Sequence, residues 1–161
     1  MKKFTLFSLA VFGLFFSSKA QTTSANTSQT VTLNLQNQIE IAVLSATGTS
    51  FTFASTADYT SGLTNASASQ LQVKSNKAWT VTVKAGAADF TGPTGNQMPA
   101  SALGVRINGG SSFTQLSTTA ANLTTGSRGS NTFTVDYNAN PGFNYDAGSY
   151  TLNVIYTATQ Q

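Results

Sequence analysis

The sequence predicts an all-β protein, an Ig-like antiparallel β-sandwich behind a cleavable export signal. Three observations carry that prediction. Apolar residues alternate with polar ones over most of the chain; clusters of Gly, Asn, Pro and Ser separate the alternating runs; and no stretch after residue 20 has a helical period. Alternation at period two sends successive side chains to opposite faces of a strand. A polar, Thr-rich second face belongs to antiparallel sheets that meet water on one side. Two such sheets packed on their apolar faces make a sandwich.

The chain opens with Met1-Lys2-Lys3, an apolar stretch over residues 4–16, and Ser17-Ser18-Lys19-Ala20. A basic start, a short hydrophobic run and small residues have the layout of a signal peptide, here residues 1–20 with the mature start near Gln21. The run is shorter than the about 20 residues that span a bilayer. Export follows as an expectation, to the cell surface or medium, with the periplasm as the alternative. Residues 21–28 are polar and read as a flexible arm. Residues 29–161 read as one sandwich domain.

Val31, Leu33 and Leu35 and then Ile39, Ile41 and Val43 occupy odd positions, with Asn37 the one break. They predict one long bent strand or two strands meeting at Gln36-Asn37-Gln38. Phe51 and Phe53, Leu71 and Val73, Trp79, Val81 and Val83, Leu103, Val105 and Ile107, and Phe133, Val135 and Tyr137 repeat the pattern. The clearest run is the last: Tyr150, Leu152, Val154, Tyr156 and Ala158. Residues 54–68, rich in Ser, Thr and Ala, fit either a strand or a surface loop. Turns are expected at Thr47-Gly48, Gly92-Pro93, Gly109-Gly110, Gly126-Ser127-Arg128-Gly129 and Asn140-Pro141-Gly142.

The chain counts eight basic and five acidic residues. Lys2, Lys3 and Lys19 belong to the signal, so five of each remain and the net charge is zero. That balance leaves no basic excess to hold nucleic acid or anionic lipid. It also does little to oppose self-association. The chain has no Cys, so the exported fold depends on packing without disulfides. No apolar segment beyond the signal is long enough for a membrane span.

Catalytic chemistry finds few groups. Without His or Cys there is no triad base, thiol nucleophile or soft metal ligand. The five carboxylates are scattered and nothing pairs two of them, so the inventory argues against an enzyme and implies no cofactor. One segment resembles the start of a calcium loop: Asp136, Asn138 and Asn140, with Asp146 further on. Proline stands where the sharp-turn glycine belongs and no glutamate closes the loop, so a plain turn leaving a strand is the alternative reading. Trp79, the only tryptophan, alternates with Val81 and Val83 and reads as core; an exposed platform for a sugar ring is its other reading.

Lys77-Ala78-Trp79-Thr80-Val81, Asp89-Phe90-Thr91-Gly92 and Met98-Pro99-Ala100-Ser101-Ala102-Leu103 together resemble the first motif region of the WxL surface domain. Tyr150, Val154 and Tyr156-Thr157-Ala158 stand where that family carries its second motif, with Tyr and Ala replacing Trp and Leu. The resemblance implies a secreted sandwich held non-covalently on the cell wall, with cell-wall glycan or other surface proteins as partners and Trp79 as the residue carried over. Gly148 followed by the alternating 150–158 run is similar to the last strand of fimbrial subunits, which assemble by strand donation. Under that likeness the 31–43 run is a candidate donor and self-assembly is implied; an ordinary first strand is the alternative.

Overall fold

The computed structural model describes residues 23–93 and 97–161, so the export signal expected at 1–20 lies outside the described residues. The fold is an antiparallel β-sandwich, the class the alternation predicts. Its strands are β1 (Ile39–Ala46), β2 (Leu63–Ser75), β3 (Trp79–Ala85), β4 (Leu103–Ile107), β5 (Thr114–Gln115), β6 (Ala121–Gly126), β7 (Gly129–Ala139) and β8 (Val154–Gln160). One sheet has the order β1-β2-β7-β4-β5 and the other β6-β3-β8. Among the described strands only β1–β2 and β4–β5 are chain neighbours paired in one sheet; the other connections carry the chain across the sandwich.

The core is where the predicted inward residues meet. Leu71 of β2, Val83 of β3, Leu103 and Val105 of β4, and Val135 and Tyr137 of β7 are buried in one cluster drawn from both sheets. Burying each such aliphatic side chain is worth about 1.5–3 kcal/mol, which is how a chain without disulfides holds two layers together. The sheets are also joined by a polar contact. The hydroxyls of Tyr137 on β7 and Tyr156 on β8 lie 2.6 Å apart. Burial, together with the neighbouring Tyr137, pushes the Tyr156 phenol well above its ordinary pKa, so it stays protonated. Tyr156→Phe should cost about 1–2 kcal/mol, because it strands the buried Tyr137 hydroxyl. Urea unfolding at neutral pH reads this directly; an unchanged midpoint would mean the contact adds nothing.

Two departures from the expected strands have local causes. Residues 51–53 keep the alternating burial of a strand without joining a ladder. Residues 54–68 are neither loop nor strand throughout. They hold a short helix, α1 (Thr56–Ser61), followed by the start of β2. Ser55 caps the helix: its hydroxyl accepts the Asp58 amide, while the Asp58 carboxylate accepts the amides of Ser55 at 2.8 Å and Ala54 at 2.9 Å. Those backbone donors hold the Asp58 carboxyl below the usual carboxylate range.

The third departure matters most for function. The run 31–43 is not one strand. β1 begins at Ile39, and residues 23–38 are in neither helix nor strand. Leu35–Gln161 form one compact unit, and residues 23–34 belong to a second.

Candidate functional site

Trp79 opens β3, pairing with Gly126 on one side and Gln160 on the other. Its ring is 2% exposed, packs near-parallel to Phe133 and donates from Nε1 to the Ser127 carbonyl at 2.9 Å. Gly126 is required beneath it, since a Cβ there would overlap the indole. This is the core reading of Trp79, and a ring so enclosed offers no face to a sugar. The other segments of the surface-domain resemblance do come together: Asp89 bridges Pro99, and the Phe90 amide donates to the Met98 carbonyl at 2.7 Å.

The residues of the calcium-loop reading stand in different places. Asp136 is 1% exposed, and its oxygens accept from the Ser67 amide at 2.8 Å, Asn108 Nδ2 at 2.8 Å and Arg106 Nε at 2.9 Å. Burial pushes this carboxyl up, but those three hydrogen bonds and the Arg106 charge outweigh it and leave the pKa below the ordinary value. Asn138 gives its amide to Thr64 Oγ1 at 2.9 Å and the Leu63 carbonyl. Asn140 is exposed just past the end of β7, and Asp146 is exposed some way further on. Gly142 turns the chain there with a φ of 64°, which fits the plain-turn reading. Among the described residues no group of three or more His, Cys, Asp or Glu is placed to hold a metal ion.

A different set of residues bounds a groove. Residues 49–53, which follow β1, and residues 145–152, which lead towards β8, bound a groove of about 800 Å³. Phe51, Phe53, Phe90, Met98, Leu103 and Leu152 give it apolar patches, set among polar residues such as Thr49, Ser50, Thr52, Ser149 and Thr151. Tyr59 of α1 lines it too, wedged between Phe53 at 5.2 Å and Phe143 at 5.1 Å between ring centroids. The capped helix therefore serves to set an aromatic wall. The groove continues the seam between β1 and β8, which are edge strands of the two sheets.

A second feature is the segment before β1. Val31, Leu33 and Leu35 are 75%, 80% and 86% exposed, three apolar side chains at strand spacing with no strand partner. Its root is fixed. Asn76 accepts from the Gln38 amide at 3.0 Å and donates to the Gln36 carbonyl at 2.7 Å, while Gln160 Nε2 donates to the Gln38 carbonyl at 2.8 Å.

The class this defines is an antiparallel sandwich with β1 and β8 as sheet-edge strands, a groove beyond one end of those strands, and an exposed apolar run in the chain ahead of β1, whose residues Gln36 and Gln38 are fixed at the other end. No protein-family model matches the chain, and no curated protein matches it either.

Proposed function

We propose that the protein is an exported structural subunit that assembles with copies of itself by strand donation. Residues 31–35 of one copy add to the β1–β8 seam of another. The observation that carries this is the exposed Val31, Leu33 and Leu35 triplet, which has the alternation of a half-buried strand and no sheet to join. An added strand would satisfy its main chain on the edge of β8 and seat apolar side chains on the apolar patches of the groove that lies ahead of it. β8, Val-Ile-Tyr-Thr-Ala-Thr-Gln, has no charge and no proline, so it lacks the usual devices that blunt a free edge.

This reading is preferred to wall attachment through Trp79 because that indole is enclosed, whereas the triplet is exposed and β1 and β8 are edge strands of their sheets. Nothing in it calls for catalysis or a cofactor. The wild-type chain should form a ladder of oligomers on size-exclusion chromatography with light scattering. Leu33→Asp should weaken association at least tenfold, since it forfeits about 1.5–3 kcal/mol of burial and each 1.4 kcal/mol is a factor of ten. At a dilution where both proteins are monomeric its thermal unfolding should match wild type, because Leu33 is exposed in the isolated subunit. Equal assembly by Leu33→Asp and wild type would reject the donor assignment.

A further inference from the structure

The ends of the sandwich differ in a way that gives the assembly a direction. One end holds the root of the donor segment: Gln38, the Ser75–Asn76 turn, residues 127–130 and Gln160. The groove lies at the other end, beyond Ala46 of β1 and before Val154 of β8. β1 separates them, and its eight residues extend about 26 Å at 3.3 Å per residue. From Gln38, Leu35 reaches at most about 11 Å and Leu33 about 18 Å at 3.6 Å per residue. A chain held at Gln38 therefore cannot lay these leucines in its own groove, and the groove is left to a second copy.

The charges sort onto the same two ends. Lys74 and Arg128 line a shallow depression beside Gln38 and Asn76, and Lys77 follows in the turn. Against these three exposed cations the root end has one acid, Glu40, 3.6 Å from Lys74. Asp146 lines the groove, Asp58 precedes the lining Tyr59, and Asp89 precedes the lining Phe90. Against these three carboxylates the groove end has Lys84, opposite Ile155 near the start of β8. The two remaining charges, Arg106 and Asp136, neutralise each other. A chain with no net charge after residue 20 thus has a basic root end and an acidic groove end. At 0.1 M salt the Debye length is about 10 Å, less than the length of β1, so each end presents its own sign to a partner.

We propose that copies join head to tail, the basic root end of one docking on the acidic groove end of the next as residues 31–35 pass between them. This rests on the strand-donation reading and adds the partner surface and its polarity. Such a contact uses two different patches and leaves one of each free, so it propagates rather than closing into a two-fold dimer. Complementary charge would orient the encounter before the donor strand inserts.

A charge exchange tests it, with assembly followed by light scattering at low salt. Lys77→Glu with Arg128→Glu makes the root end acidic; Asp89→Lys with Asp146→Lys makes the groove end basic. Each pair alone should slow assembly at least tenfold, and the chain carrying all four substitutions should recover a rate near wild type, because its ends again attract. Wild-type assembly should itself slow as salt rises, a measurement that depends on no variant. If wild type assembles and Leu33→Asp does not, yet the charge pairs and salt leave the rate unchanged, strand donation stands and the polar docking is overturned. Arrest of wild type at a dimer would also overturn it. Failure of wild type to assemble at all would remove both.

Discussion

Trp79→Ala is expected to destabilise the protein by about 3–5 kcal/mol, read as a lower urea midpoint at unchanged slope. The indole fills the space between the sheets beside Val73, Val81 and Phe133, and Gly126 leaves no atom that could move in behind it. The cavity would persist, which is the condition for the upper part of that range. Against a total stability of about 5–15 kcal/mol this is a large fraction. Trp79→Phe should cost less, since it keeps a ring against Phe133 and loses mainly the hydrogen bond to Ser127. If the alanine variant unfolds like wild type, the indole cannot be a packing element and its enclosure must be relieved in solution.

Asp136→Ala should be of similar size, about 3–5 kcal/mol, as for breaking a buried ion pair. Arg106 would lose its counter-charge, and the Ser67 amide and Asn108 side chain would lose their acceptor. Ser67 adopts a φ of 52° where the β2–β7 register shifts, so the carboxylate also fixes the bulge. The pH dependence has a definite sign. A carboxyl whose folded pKa lies below its unfolded value of about 3.9 adds stability that is complete above that value. That contribution is lost as the pH falls through the folded pKa. Wild type should therefore lose stability on acidification below about pH 4, and Asp136→Ala should lose less over the same interval. Parallel acid titrations of the two proteins would show that Asp136 is not the group concerned.

Much of the sandwich is legible without coordinates because alternation is a local property. Trp79, Val81 and Val83 lie buried on β3, and Val105, Val135 and Tyr137 lie buried on their strands, as their spacing requires. The short helix was legible in principle: Ser55 followed by Asp58 three residues later is a capping signature. It is obscured because Thr56, Ala57, Tyr59 and Thr60 show no apolar stripe. Val31, Leu33 and Leu35 display the same period as Ile39 and Ile41, yet only the second set belongs to a strand. Periodicity says which face a side chain would take in a sheet; it does not say whether a sheet is there to receive it.

By itself, then, the sequence determined the all-β class, the inward set of most strands and the zero charge balance after residue 20, all written in neighbouring residues and in composition. Tertiary structure alone decided that Asp136 is held by donors from β2, from β4 and from the turn after β4, and that the groove joins residues 49–53 to residues 145–152. It alone decided that three of the five cations after residue 20 gather at one end and three of the five carboxylates at the other. Each of these depends on which strand lies beside which, and that is settled by long-range pairing that no local spacing encodes.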